Sequence, residues 1–336
     1  MFTHMMTIFA FVALIHAQGQ PRGTQARFDL STPQGAPFPS DKFTLAEPNH
    51  ITGLKVNLPL PDCDARPSDC ADLRVVNELD GFNIQPRLSI PFDGPIDPTT
   101  VTSSAVFLLK LPGGAVVGIN QVIYDPATRV AYAESDELLE QHTRYALIVT
   151  TGVRDLNGHD VKPSEEFRHF RQMTDTQYRD ALEEALRVAA RIARSEIVSA
   201  SVFTTQSVTA VLEKIRDQFD ASTASAANFG LGPAGLRTVF QLNQIRGVTW
   251  NRQTGDNPPK FTPSAVGVSR LDAYSPGAVG RIAFGKYSSP DYMVHPGEYI
   301  PAIGTLTGTP QVQRTNEVYF NLFLPSTAKP RLAGRS

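Results

Sequence analysis

The sequence predicts a mainly β protein with some α-helix, in which a β-sandwich is followed by a β-rich segment carrying two amphipathic helices. The 336 residues include 26 Pro and 24 Gly but only 19% charged residues, which indicates many short elements joined by turns. Short apolar runs recur at regular intervals from Phe82 to Met173, as they do in a sandwich. Two later stretches repeat apolar residues at helical spacing. A chain of this length holds about two domains.

Residues 1–17 are predicted to be a signal peptide. The apolar run from Met5 to Ile15 ends at the small residue Ala17, and it is too short to span a membrane. No Lys or Arg precedes this run, and Ile15 stands where a small residue is usual. A buried apolar strand or helix is the alternative. We expect an exported protein, located in the periplasm, at the cell surface or outside the cell.

Residues 18–81 predict an irregular leader with one strand candidate, Ile51 to Leu60. The polar run 18–42 is expected to be partly disordered, because few apolar groups offset its ordering entropy. The two cysteines of the chain, Cys63 and Cys70, lie in a loop of this leader. A close pair in an exported chain usually forms a disulfide, which is the interpretation we favour. A redox pair or half of a zinc site is disfavoured, since CxxC spacing and nearby histidines are missing.

Residues 82–173 predict the sandwich. Leu88, Ile90 and Phe92 occupy alternate positions, and the sequence DPAT from Asp125 is typical of a type I turn. An Asn-Gly turn in RDLNGHD precedes a final strand that ends before Met173. The other strands are predicted at Ala105 to Leu111, Val116 to Tyr124, Val130 to Ala133 and Tyr145 to Val149.

Residues 174–316 predict a mixed α+β segment with two amphipathic helices, both expected to cover sheet surface. Thr174 and Gln177 form a capping box for the first helix. Its charged face includes the pair Glu183 and Arg187. Its apolar positions are Tyr178, Ala181, Leu182, Ala185, Ala189 and Ile192.

The second helix follows a predicted strand, Ile197 to Phe203, and is capped by Thr205 or Ser207. Its expected buried stripe is Val208, Val211, Leu212, Ile215 and Phe219. Later strands are predicted at Val239 to Trp250, Ala265 to Leu271 and Val279 to Phe284.

Residues 317–336 contain an alternating strand, Glu317 to Leu324, and a tail without periodicity. An unpaired apolar strand is a site of aggregation or dimerisation, so deleting 316–336 is expected to improve solubility if that strand lacks neighbours.

Two resemblances extend this interpretation. The runs LDGFNIQPRLSIPFDGPIDPTTV and YDPATRVAYAESDELLEQHTRYALIVTTGVRDLNGHDV resemble a bacterial Ig-like domain of exported proteins. The segments ARFDLSTPQGAPFPSDKFT, NLPLPDCDARPSDCADLRVVNELDGFN, SVFTTQSVTAVLEKIRD and EVYFNLFLPSTAKP are similar to the N-terminal region of secreted lipase-like or esterase-like bacterial proteins. That similarity implies that 317–336 hold the first strand of a hydrolase domain that is otherwise missing, and that the chain is a truncated accessory region.

The chemistry-bearing residues favour a non-catalytic chain. No G-x-S-x-G pentapeptide occurs, and Ser269 has Leu271 where the second Gly would stand. The histidines His50, His142, His159, His169 and His295 lack metal-ligand spacing. A triad or zinc site assembled from distant positions is the alternative. We expect no catalytic residue, no metal and no cofactor.

Three weaker patterns have mainly structural explanations. Asp155, Asn157, His159 and Asp160 favour a hairpin turn over a calcium loop. The acidic cluster Asp62, Asp64, Asp69 and Asp72 favours solvated loop charge over divalent-ion binding. The aromatics Trp250, Tyr287 and Tyr292 could stack on sugar rings or pack internally.

The charge balance limits the partners. With 31 Lys and Arg against 33 Asp and Glu, the surface has no strong basic field, so nucleic acid is not expected as a partner. The expected partner is the chain's own hydrolase domain in the full-length family, with contact to the cell envelope or polysaccharide as a further possibility. An independent adhesion or glycan-binding module is the alternative function.

Overall fold

The computed structural model describes residues 23–256, 258–266 and 278–326. The predicted signal peptide 1–17 and the end of the predicted tail lie outside these residues, as does Ser269. The chain divides into two units, one of Met1–Ala210 with Gly304–Gly308 and the other of Val211–Ile303 with Thr309–Ser336.

The first unit contains three helices and a set of mostly short strands within the described residues. Its helices are α1 (Pro67–Val76), α2 (Glu165–Arg168) and α3 (Thr176–Ala189). Its strands are β1 (Gln25–Ala26), β2 (Thr44–Ala46), β3 (Leu54–Val56), β4 (Leu88–Pro91), β5 (Ile96–Asp97), β6 (Val106–Lys110), β7 (Ala115–Val117), β8 (Ile119–Asp125), β9 (Val130–Ser135), β10 (Arg144–Thr150), β11 (Arg154–Asp155), β12 (Lys162–Pro163) and β13 (Ile197–Thr204).

Two sheets of this unit form the predicted sandwich. One sheet has the strand order β13-β10-β6-β7 and the other β4-β9-β8, and the neighbouring strands are antiparallel. Leu88 and Ile90 from β4 pack in one apolar cluster with Leu108 from β6 and Leu147 from β10. All four side chains are at most 1% exposed, so the core of the unit lies between the sheets.

The opposite face of the four-stranded sheet is also buried. Leu109 and Ile148 on that face join a second cluster with Leu182 and Ala185 from α3, and all four are fully buried. This explains why β10 is a continuous apolar run, because its side chains are covered on both sides. The prediction that the first helix covers a sheet is confirmed.

The leader is an integral part of this unit. Ala26, Phe28 and Ala36 are at most 3% exposed, and Phe28 packs edge-on against Phe167 at 5.1 Å between ring centroids. The prediction of partial disorder in 18–42 is therefore wrong for the described residues of that run. The few apolar side chains of the leader suffice because they enter cores that the sandwich supplies.

Other local expectations need correction. Asp175, not Thr174, caps α3, since its side chain accepts a hydrogen bond from the Tyr178 N–H at 3.1 Å. Glu183 pairs with Arg171 instead of Arg187. The segment before Met173 is helical, because the Ser164 hydroxyl accepts from the Phe167 N–H and starts α2 where a strand was predicted.

Helix α4 (Ala210–Ala221) follows β13, and its predicted stripe is not buried. Leu212 is 58% exposed and Phe219 40%, so the expectation that this helix covers a sheet with that stripe is wrong. Neither predicted cap serves it: the Thr205 hydroxyl donates to the Glu140 carbonyl, and the Ser207 hydroxyl has no partner.

The second unit contains a three-stranded antiparallel sheet and a two-stranded hairpin. Its strands are β14 (Val239–Gln241), β15 (Val248–Asp256), β16 (Pro259–Val266), β17 (Val279–Asp291) and β18 (Arg314–Pro325). The order β14-β17-β18 places the predicted C-terminal strand against β17, so it is paired along one edge. The predicted strand Val239 to Trp250 is instead two strands separated by a turn. Of the strand predicted at Ala265 to Leu271, the first two residues end β16, which begins at Pro259, and 267–271 lie outside the described residues.

Candidate functional site

A groove of about 710 Å³ in the first unit is the candidate functional site. Its floor is the outer face of the β4-β9-β8 sheet. Ser89 of β4 and Tyr132 of β9 stand opposite each other and line the groove, while their neighbours Leu88 and Ala131 point into the core. The alternation that buries one face of the sheet thus exposes the other.

The first wall is a proline-containing segment followed by α1. Leu58, Leu60 and the adjoining prolines line the groove, and Asn77 at the end of α1 clamps this segment. The Asn77 side chain accepts from the Leu58 N–H at 2.8 Å and donates to the Leu58 carbonyl at 2.9 Å. The Cys63–Cys70 disulfide, with 5.6 Å between the Cα atoms, ties the loop to α1. The predicted disulfide is confirmed, and it holds this wall together.

The second wall comes from the leader. Thr32, Pro33 and Gln34 line it, and Phe38 lies at its base. The Phe38 N–H donates to the Ser89 carbonyl at 3.0 Å, and the Ser89 N–H donates to the Phe38 carbonyl at 2.9 Å. At the groove, the leader is therefore hydrogen-bonded to the edge of β4 that does not pair with β9.

Two arginines and one carboxylate line the groove. Arg66 and Asp69 form an ion pair across the start of α1. The Arg87 guanidinium lies 5.0 Å from the centroid of the Tyr132 ring, a cation–π contact. Within the part of the chain that the structure describes, Arg87 has no carboxylate partner. Its charge is the one left uncompensated in the groove.

A second, polar cavity of about 70 Å³ lies in the first unit beside the single helical turn Asp41–Phe43. The Asp41 carboxylate accepts hydrogen bonds of 2.8 Å from both the N–H and the hydroxyl of Thr204. Burial nevertheless raises the pKa of Asp41 to about 6, against the effect of those bonds and of nearby Arg144. Burial also raises the pKa of Tyr178, whose hydroxyl accepts from the Ser40 hydroxyl, to about 12.

The acidic turn from Asp155 to Asp160 has structural partners. The Asp155 carboxylate accepts hydrogen bonds from the N–H groups of His159 and Asn157, which lower its pKa. Gly158 has a φ of +80° in the turn. Asp160 pairs with Arg154. Among the described residues, no group of three or more His, Cys, Asp or Glu side chains is placed to hold a metal ion.

The predicted aromatic candidates do not converge. Tyr292 is 7% exposed, donates to the Gln218 side chain at 2.7 Å and packs on Phe219, so it is a packing residue. Trp250 and Tyr287 are exposed on different sheets.

His295 lies 2.8 Å from Asp291, which also accepts from Arg314 and Asn316. The Met293 N–H, which donates to Asp291 at 2.9 Å, and these side-chain bonds hold the pKa of Asp291 well below its usual range.

Sequence reasoning missed the groove. Arg87 directly precedes β4 and Tyr132 lies in β9, both at outward positions of the alternating pattern, which predicts exposure but not function. The clue was the proline run around the cysteine loop, NLPLPDCDARP, whose rigidity is typical of a preformed wall. Cross-strand pairing of Ser89 with Tyr132 is not visible in the sequence.

Comparison with known families supports the sandwich. Residues 66–171 match the bacterial Ig-like domain. This match confirms the resemblance predicted for this region, and it includes α1 and the strands from β4 to β12. No curated protein matches the sequence.

Solved structures give a weaker similarity. Domains 1–6 of the surface layer protein SbsC are 10% identical, with a TM-score of 0.23 over 73% of this chain and 26% of that one. The N-terminal part of the bacterial S-layer protein SbsC is also 10% identical, with a TM-score of 0.24 over 77% of this chain and 49% of that one. The chain therefore spans less than half of either solved chain.

None of these comparisons shows a lipase or esterase relative, so that part of the resemblance remains a prediction. None of the helices in the described residues is long and apolar enough to cross a membrane.

Proposed function

We propose that the chain is an exported, non-catalytic module whose Ig-like sandwich contacts a macromolecular partner. The observation that carries this proposal is the Ig-like sandwich with a preformed groove on its outer face, walled by a disulfide-tied loop and by the leader. Wall segments anchored by hydrogen bonds and a disulfide lose little freedom on binding, which favours recognition.

Export is supported by two features. The Cys63–Cys70 disulfide is typical of oxidising compartments such as the periplasm and the cell exterior. The apolar run in residues 1–17 has the length of a signal peptide. The test is N-terminal sequencing of the secreted protein after expression with its native N-terminus. A mature chain that still begins at Met1 and stays in the cytoplasm would contradict export.

The finer version of the proposal is an accessory region of a secreted lipase-type or esterase-type hydrolase. It is supported by the resemblance of EVYFNLFLPSTAKP to the start of such a domain. The coding DNA past codon 336, read in all three frames, tests it. We expect an apolar strand followed by His-Gly and later G-x-S-x-G; an unrelated gene there would contradict the hydrolase partner.

The non-catalytic part of the proposal has its own test. The purified chain is incubated with p-nitrophenyl butyrate, and we expect no release of p-nitrophenol above that of a heat-treated sample. Reproducible turnover that disappears on heating would overturn it.

A second candidate is an independent module that uses the groove to bind the cell envelope or a polysaccharide. This candidate predicts saturable sedimentation of the pure chain with envelope fragments. An accessory region that contacts only its own hydrolase would remain in the supernatant.

A further inference from the structure

We propose that the groove binds an extended acidic peptide, with a ligand carboxylate on Arg87 and apolar side chains against the proline-containing wall. This inference rests on the proposed role of the sandwich as a contact module, and it names the chemistry of the partner.

Recognition must occur through side chains rather than by adding a strand. The backbone of Ser89, which would otherwise offer its edge hydrogen bonds to a ligand, is already paired with Phe38. An incoming peptide therefore meets the outward side chains of β4 and β9. A groove of about 710 Å³ has the size of a typical ligand site.

The walls favour apolar side chains. Phe38, Leu58, Leu60 and Leu73 line the groove together with three prolines. Leu60 is 43% exposed, so it has apolar surface left to bury. Each apolar side chain that such a wall covers contributes free energy in proportion to the area removed from water.

The charge favours a carboxylate. Arg66 is neutralised by Asp69, whereas no carboxylate among the described residues pairs with Arg87. The contact with Tyr132 holds the Arg87 guanidinium over the floor of the groove. Its N–H donors are therefore positioned before a ligand carboxylate arrives. The groove thus complements one negative charge between apolar neighbours.

The same contact disfavours a sugar. Stacking of a sugar ring requires a free aromatic face, and the guanidinium covers one face of Tyr132. Polysaccharide is therefore a competing outcome of the test and not the proposal.

The experiment is a calorimetric titration of the full chain with two N-acetylated, C-amidated peptides, SLVEVLS and its neutral counterpart SLVQVLS, which in an extended conformation place one Glu or Gln between two Leu on the same face. We expect the glutamate peptide to bind about tenfold more tightly, since hydrogen bonds to charged groups are worth about 1.5–3 kcal/mol. Arg87→Gln should abolish this preference. Leu60→Ser should weaken both peptides and leave their ratio unchanged.

The matched control is Arg191→Gln, which removes an exposed arginine outside the groove and should leave both titrations unchanged. Thermal melts of all variants establish that they are folded. Equal binding of the two peptides, or binding of neither, would overturn the proposal. So would Arg87-dependent binding of polygalacturonate without peptide binding. Envelope sedimentation is measured separately, so failure here leaves the proposed contact role standing.

Discussion

Replacing Asp41 by Asn tests whether a partly buried carboxylate destabilises the first unit at neutral pH. Asp41 is partly buried beside β13, and both of its carboxylate oxygens accept hydrogen bonds from Thr204. An Asn side chain keeps both contacts, because its carbonyl accepts from the Thr204 N–H and its amide donates to the Thr204 hydroxyl oxygen. The substitution therefore removes the charge and retains the geometry.

The sign of the expected change in stability follows from the pKa of Asp41. The folded state raises the pKa of Asp41 from 3.8 to about 6, so between these values it binds more protons than the unfolded state. The contribution of Asp41 to the free energy of unfolding is then highest below pH 3.8 and is lost as the pH rises through 6. A difference of about 2 pH units corresponds to about 3 kcal/mol. Water at this partly exposed site screens the charge, so we expect about 2 kcal/mol.

The assay is urea denaturation of both proteins at pH 4.0, 5.0, 6.0 and 7.5. Relative to the wild type, Asp41→Asn should gain about 2 kcal/mol between pH 4.0 and pH 7.5. Asp97→Asn is the control of opposite sign, because hydrogen bonds from Thr99 lower the pKa of Asp97. Because the folded pKa of Asp97 lies below 3.8, that variant should lose stability relative to the wild type mainly as the pH rises up to about 4, checked by an added measurement at pH 3.0, and should differ from the wild type by a nearly constant amount between pH 4.0 and pH 7.5. A difference between Asp41→Asn and wild type that is constant with pH would refute the reasoning.

Three further predictions concern the architecture. Replacing Cys63 and Cys70 by Ser should lower the free energy of unfolding by about 2 kcal/mol, as expected for a closed loop of this size, measured by urea denaturation. A fragment limited to residues 66–171 should not fold, because it lacks β13 and the leader, and its circular dichroism should show no cooperative melt. Replacing Tyr319 and Phe323 by Lys should reduce self-association in light scattering, because these side chains are 65% and 50% exposed on the edge strand β18.

Each of these has a defined control. The serine variant should be insensitive to a reducing agent, whereas the wild type should fall to the stability of the variant when reduced. Fragment 23–210 should melt cooperatively, and a folded 66–171 fragment would show that β13 and the leader are dispensable. For β18, Val312→Lys places a charge at an exposed position outside the strand, and equal improvement by that change would show a general charge effect. Deletion of 316–336, by contrast, would remove most of β18, one of the two strands that pair with β17.

The alternating strands of the sandwich could be predicted because the side chains on one face of each strand are buried in the core. Leu88, Ile90 and Phe92 are at most 1% exposed, and the predicted disulfide between Cys63 and Cys70 is present. The helix α1 could not be predicted in the same way, because its ten residues bury only Cys70 and have almost no apolar stripe. Its signal is Pro67 at the first position, which a turn also tolerates.

The leader shows why a polar composition alone gave a wrong prediction of disorder for the described residues of 18–42. A polar segment is expected to remain disordered when it must build its own core, and 18–42 has too few apolar residues to do so. Phe28 instead packs with Phe167, and Phe38 with Phe82 at 5.4 Å between ring centroids. These contacts depend on residues more than forty positions away, so the local sequence cannot indicate them.

Contacts between segments that are distant in sequence also determine the shortest part of the chain that can complete this fold. The family match ends at residue 171, yet β10 at the centre of the sheet pairs on one side with β13, which begins at Ile197. The β4 edge of the other sheet is paired with leader residues that precede the match. Without these two additions, both sheets would present unpaired edges and exposed apolar faces, which favour aggregation. The groove also depends on the leader. The leader supplies the second wall, and it pairs with the edge of β4 that would otherwise accept another strand.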